Sequence, residues 1–389
     1  MEATPPRVMD PLAHTLVGAT LAQTRLRRGT GAMALAAGVL AANAPDVDAV
    51  TMFVSRDLSL GFRRGWTHGV LAMAVLPLVL TAALLVLDRL WGRWRGREPA
   101  ARAGPLLRLT AAGVWSHPLL DWLNTYGVRF LMPFDGTWFY GDALFIIDPW
   151  VWLLAGLTVV LASSATWASA AGWALLATAA TAVTWIVIGF GRFADTPPAT
   201  AAAWGAGVAA IVWLRATGRG RRRLSRVAAA CLAAVAMYAG GMALASRSAE
   251  RFTAALLGRQ NGAAPVDVLA IPVPGNVFRR GIVAVYPDDY RFYELDWLAA
   301  PPLRQTADPV PRGPDGPVVE AALTAPHVRG MAVWKRFPAY TVTGTADGWV
   351  VTISDMRYTR RPGGGLGGAT VRLDRGLNVV PREPAGGGR

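Results

Sequence analysis

The stretch VLAMAVLPLVLTAALLVLDRL, residues 70–90, decides what kind of fold this chain adopts. It carries no charge before Asp88, and a helix of about 20 apolar residues crosses the hydrocarbon core of a bilayer. Similar runs follow at 144–164, 167–190 and 227–246, with a shorter one at 199–215. Segments 31–53 and 109–125 are also apolar but contain Asp or His, and 10–24 is short enough to read as re-entrant. Composition agrees. The chain is 53% hydrophobic and 16% charged, with mean hydropathy +0.33, whereas soluble domains carry roughly 25% charged residues.

Arginine supplies almost all of the net charge of +14, since Lys335 is the only lysine. The clusters Arg25–Arg28, Arg89–Arg108 and Arg215–Arg226 fall on one side of the alternating spans. Arg56, Arg63, Arg64, Arg129 and Arg192 fall on the other. The positive-inside bias puts the rich set in the cytoplasm and residues 250–389 outside it. The Arg219–Arg226 cluster is short, lacks interleaved aromatics and adjoins a span. Its expected partner is therefore anionic membrane lipid, not nucleic acid. The lone Cys231 excludes a disulfide framework and a thiolate metal site. The N-terminus lacks the basic start and cleavable apolar segment of a signal peptide.

Residues 250–389 change texture. Pro and Gly are frequent, and FRRGIVAVYP and DYRFYELDWL alternate as strands do. YTVTGTADGWVVTISDMRY reads as a hairpin turning at Asp347–Gly348, with a short helix near 326–337. GGGLGG at 363–368 neither follows a strand nor opens a helix, so it is no nucleotide fingerprint. The expected fold is mostly α, a polytopic transmembrane helical bundle followed by a small β-rich (α+β) extramembrane domain. Its divisions are a disordered tail at 1–8, a metal-site helical membrane domain at 9–160 and additional transmembrane helices at 161–249. A β-rich extracytoplasmic domain at 250–380 and a disordered tail at 381–389 complete it.

Polar residues interrupt the apolar segments in four places. His14 and Gly18 lie four apart, on one helical face. Asp46 and Asp48 follow a break at Pro45. RRGWTHG brings Arg63, Arg64, Thr67 and His68 to the start of the 70–90 span, and His117 and Asp121 are again four apart. Taken singly, each has an ordinary reading: a packed histidine, a helix cap, a headgroup anchor. Together they are harder to dismiss, because a buried unpaired carboxylate costs several kcal/mol. With the sidedness above, the Asp46–Asp48 turn, His68 and the His117–Asp121 turn fall in the outer half of the membrane, joined by His14 if residues 10–24 run inward toward Arg25–Arg28. A divalent cation pairs such groups best, and imidazole with carboxylate donors suits zinc, manganese or iron. Arg64, four residues before His68, is placed to bind a phosphate beside that metal. For WFYGDALFIIDPW, Asp148 reads as a helix cap before Pro149, with a catalytic or supporting role at the site for Asp142 or Asp148 as the alternative. His327 reads as an ordinary structural residue, and Trp334, Arg336 and Asp355 as groups within reach of a substrate.

MDPLAHTLVGA, PDVD, RRGWTH and HPLLDWLNTYG followed by DPW resemble the YdjM/YbcI-type family of membrane-bound, predicted metal-dependent hydrolases. That family is grouped distantly with zinc-dependent phospholipase C and P1-type nucleases. The resemblance implies an all-α metal-binding bundle that hydrolyses a phosphoester with metal-activated water. It also implies ligand positions at His14, Asp46, His68, His117 and Asp121, with Asp48 as a ligand, an orienting group or the base. With only three His in the region and no N-terminal Trp ligand, one or two ions are expected rather than three. The expected substrate is a lipid headgroup or lipid-linked phosphoester at the membrane surface. Two other classes stay open: a transporter, and a structural or regulatory membrane protein with a non-catalytic metal. The spans at 167–190, 199–215 and 227–246 hold no ionisable group well inside them, which speaks against a transport path.

Overall fold

The computed structural model describes residues 10–189, 198–360, 363 and 367–381. The two expected tails, apart from Pro381, and residues 364–366 of the glycine-rich loop lie outside the described residues. The N-terminal part is helical: α1 (Pro11–Leu21), α2 (Ala34–Asn43), α3 (Arg56–Phe62), α4 (Val70–Arg95), α5 (Ala103–Trp122) and α6 (Pro149–Ser163). Further helices are α7 (Trp167–Gly189), α8 (Pro198–Thr217) and α9 (Leu224–Asn261).

Among the described residues, Gly31–Phe53, Val70–Arg95, Ala199–Thr217 and Arg221–Gln260 are long and apolar enough to cross a membrane. Helix α6 is shorter than the expected 144–164 span, because Asp148 accepts from the Trp150 and Val151 amides and Pro149 opens the first turn. That cap is the expected one, and the same carboxylate also accepts from the Tyr238 hydroxyl at 2.8 Å.

Small residues let the first helices touch backbone to backbone. A Cβ on Gly18 would overlap the Gly38 carbonyl, and one on Gly113 would lie 2.7 Å from Ala41 Cβ. Helix α2 is thereby gripped between α1 and α5, as small-xxx-small crossings allow. The chain leaves α2 at Asn43 in a 3-10 helix, Ala44–Phe53, whose three-residue repeat gives it three faces. Asp48 and Thr51 are buried, whereas Val47, Val50 and Phe53 are exposed.

Helix α9 has 38 residues, about 57 Å at 1.5 Å per residue. It runs through the expected 249/250 boundary, and Ala249 and Leu257 pack on Ile282, Tyr293 and Leu295 of the β-rich part. There β1 (Asp267–Val273), β2 (Asn276–Val285), β3 (Asp289–Asp296) and β4 (Leu303–Pro311) form an antiparallel meander, with Ile282 opposite Tyr293. Helices α10 (Pro317–Leu323) and α11 (Arg329–Trp334) then lead to a second antiparallel sheet, β5 (Pro338–Thr345), β6 (Gly348–Asp355) and β7 (Gly368–Asp374). The β5–β6 turn is Ala346–Asp347, one residue earlier than expected, since Thr345 pairs with Gly348. Gly348 is the first strand residue instead, at φ +151° and pressed on the Leu373 carbonyl where a Cβ would not fit.

Candidate metal centre

The crossings of α1, α2 and α5 bring the polar interruptions to one place. Asp46, His68, His117 and Asp121 each offer a donor atom, and these atoms all lie within 4.8 Å of one another. His68 Nε2 is 3.2 Å from Asp121 Oδ2. His117 Nε2 is 3.6 Å from the same oxygen and 3.7 Å from Asp46 Oδ1. The last two separations are too long for hydrogen bonds. They suit donors sharing an ion, because ligands 2.0–2.1 Å from a tetrahedral metal stand about 3.3 Å apart.

Both imidazoles are held with Nε2 toward this point. His117 Nδ1 is 2.6 Å from the Ala42 carbonyl, which only accepts, so Nδ1 carries the proton and Nε2 the lone pair. His68 Nδ1 is 3.0 Å from Thr67 Oγ1 and 3.4 Å from Asp48 Oδ2. His68 Nε2 and His117 Nε2 are buried and make no hydrogen bond among the described residues. Two orphaned nitrogens facing two carboxylates fit a divalent cation. Asp46 is the most accessible of the four, with 14% of its side chain exposed.

Asp48 lies behind His68, away from the group of four. It accepts from the Arg64 amide at 2.9 Å and from the Thr67 hydroxyl at 2.8 Å. This places its carboxylate at the outer nitrogen of His68, outside the group of four. His14 stands beside the group: its Nε2 is 3.2 Å from Asp121 Oδ1, and its ring stacks on His117 at 3.8 Å. His14 also lines a cavity of about 40 Å³ with Asp10, Arg64, Asp121, Asn124 and Asp148.

The expectation that Arg64 binds phosphate needs correction. The residue is 1% exposed, and its guanidinium is turned inward onto Asp121, with Nε 3.0 Å from Oδ2 and Nη2 3.1 Å from Oδ1. Nη1 donates to Asn124 Oδ1 at 2.6 Å, and the group lies 4.7 Å from the Tyr126 ring centre. A left-handed backbone at Arg64, φ +53°, makes this turn. It is held by the Asp48 carboxylate on the amide and by the Arg129 amide, which donates to the Arg64 carbonyl at 2.8 Å. Arg63 instead reaches Asp46 at 3.4 Å and Asp48 at 3.5 Å. Two guanidiniums therefore face three carboxylates, leaving negative charge that a cation offsets.

Asn124 and Tyr126 were not singled out from the sequence, although HPLLDWLNTYG contains both; nothing in their spacing marks them as partners of Arg64. Trp334 and Asp355 are fully buried, which corrects their expected reach toward a substrate. Asp142 forms a 2.8 Å ion pair with Arg336 rather than joining the metal group. Burial pushes the Asp142 carboxyl up, and Arg336 only partly offsets this. His327 makes a 3.3 Å contact with the Thr370 carbonyl, as a structural residue does. An apolar cavity of about 410 Å³ lies among α6, α7 and α8, lined by Trp152, Trp167, Trp173 and Trp204 and by no member of the metal group.

Neither a curated protein nor a solved structure matches this chain. Residues 9–194, which contain every candidate ligand, match the family model described as YdjM inner membrane protein.

Proposed function

We propose that this multi-pass inner-membrane protein is a metal-dependent hydrolase acting on a phosphoester carried at the membrane surface, as a lipid headgroup or on a lipid-linked molecule. The observation that carries this reading is the convergence of Asp46, His68, His117 and Asp121 with two orphaned imidazole nitrogens. A divalent ion held there, zinc before manganese or iron, would acidify a water and polarise a phosphoryl oxygen. The group of four accounts for one ion. A second would have His14 and the outer oxygen of Asp121 as its nearest donors.

The chain's own residues set up that chemistry. Ala42 and Asp48 fix the two imidazole tautomers. Arg64 and Asn124 hold Asp121, and the part-exposed Asp46 marks the side from which substrate arrives. The same 3-10 helix exposes an apolar ridge, Val47, Val50 and Phe53, which suits an amphiphilic substrate. The arginine distribution favours placing this site and the β-rich domain on the extracytoplasmic side. One observation favours a second reading, a structural metal in a non-catalytic membrane protein: the Arg64 guanidinium is paired with Asp121.

Metal content of the detergent-solubilised chain, measured by mass spectrometry beside His68→Ala and Asp121→Ala, tests the centre. We expect about one ion per chain, lost in both variants while they stay folded. A metal-free wild type would end the proposal. Turnover of a phosphoester panel, abolished by chelation in a protein that stays folded, supports the hydrolase. Bound metal without any turnover, and unfolding on chelation, establishes the structural metal instead.

A further inference from the structure

The metal centre is built by residues before 125, yet its outer supports come from the far end of the chain. The turn Asn124–Gly127 has two sides. On one, Asn124 Oδ1 and the Gly127 carbonyl accept from Arg64 Nη1 at 2.6 and 3.4 Å, and the Tyr126 ring backs the same guanidinium. On the other, Arg357 Nη1 donates to the Thr125 carbonyl at 3.0 Å and the Tyr126 carbonyl at 3.4 Å. Trp334 packs on the Tyr126 ring at 5.0 Å. Tyr126 is thus sandwiched between the arginine that clasps Asp121 and a tryptophan of the β-rich domain.

Arg357 is itself locked. Asp355 receives its Nε at 3.0 Å and Nη2 at 2.8 Å, and Nη2 also reaches the Trp334 carbonyl at 2.8 Å. A planar guanidinium fork makes all these bonds at once, which a lysine cannot. The domain grips the centre at a second point. Asp57 accepts from the Gly330 and Met331 amides at 2.9 and 3.1 Å, and α3 and α11 meet at Gly61 and Gly330 with no room for a Cβ on Gly330. Helix α3 leads directly into Arg63, Arg64 and His68. Trp138 Nε1 donates to the Val333 carbonyl at 2.9 Å, closing the same seam.

We infer that the C-terminal β-rich domain is a clamp that completes the metal centre, with Arg357 and Tyr126 as positioning residues that hold Arg64 on Asp121. The domain lies beyond residue 194, where the family match ends. This inference rests on the reading of the four-residue group as a metal site, and not on hydrolysis.

Cobalt(II) titration of the full-length chain in detergent tests it, with affinity and the visible absorption band as readouts. The variants are Arg357→Ala, Tyr126→Ala, Tyr126→Phe and Leu295→Ala. Supporting residues around metal ligands carry about 10- to 100-fold in affinity. We expect a loss in that range, with an altered band, for Arg357→Ala and Tyr126→Ala. Tyr126→Phe keeps the ring and should bind as wild type. Leu295 is a fully buried residue of the first sheet whose core cluster holds no residue of the second, so Leu295→Ala should lower thermal stability without moving cobalt affinity. Should Arg357→Ala not fold, the contrast between the two Tyr126 variants decides. Wild-type cobalt affinity in folded Tyr126→Ala overturns the clamp, as does an equal loss in Leu295→Ala. No cobalt binding by wild type overturns the metal centre itself.

Discussion

Asp48 shows how a single carboxylate changes meaning with its neighbours. Adjacent in sequence to ligands, it faces the outer nitrogen of His68 and the Arg64 amide instead of the ion site. Asp48→Asn keeps the shape and removes the charge that orients the ring. Zinc affinity by calorimetry should fall about 10- to 100-fold, whereas Asp121→Asn should abolish binding. Equal loss in the two variants would make Asp48 a ligand after all. The i, i+4 pair His117 and Asp121 was legible in the sequence because helical periodicity alone puts both on one face. The inward turn of Arg64 was not, because it depends on a left-handed φ and on Asn124, neither of which residue spacing encodes.

At the scale of elements, the site depends on how closely α1, α2 and α5 approach. Gly18 and Gly38 meet carbonyl against Cα, and nothing but hydrogen fits between them. Gly18→Ala should therefore destabilise the chain by about 1–3 kcal/mol, the usual range for overpacking, and weaken metal binding through the displaced His14. Gly104 in α5 has open space where its Cβ would be, so Gly104→Ala should be neutral. Helix propensity alone would raise the melting temperature of both variants, so a Gly18→Ala chain that melts no lower than wild type in detergent would show that close approach does not govern α1. The spans were legible from unbroken apolar runs, while the ends of α6 and α9 were not. Asp148 capping sets the first, and burial of Ala249 and Leu257 against the sheet extends the second.

For the molecule as a whole, the seam between helices and sheets carries a pH dependence. Burial raises the Asp355 carboxyl, but the Arg357 guanidinium and the Arg336 and Arg357 amides outweigh it, and the group titrates below its ordinary 3.8. A depressed carboxylate stabilises the fold fully above the ordinary value and loses that contribution as pH falls through the depressed one. Thermal unfolding should thus show stability declining in acid below about pH 4, with the decline reduced in Asp355→Asn. An unchanged acid slope in that variant would assign the decline to other carboxylates.

Sequence by itself determined that this chain is built on apolar helices of which several are long enough to cross a membrane, that a β-rich domain follows and which imidazoles and carboxylates are out of place in apolar helices. Those properties are local: hydropathy over about 20 residues, alternation in strands, and the 3.6-residue turn of a helix. Only tertiary structure decided which of the polar residues meet. Distances of a few ångströms between Asp46, His68, His117 and Asp121 follow from three helix crossings, and small residues permit those crossings without specifying them. It also decided that Arg64 serves Asp121 and that Arg357, more than 230 residues along the chain from Thr125, braces the same turn. Such contacts arise from loop closure over long separations, which no window of sequence contains.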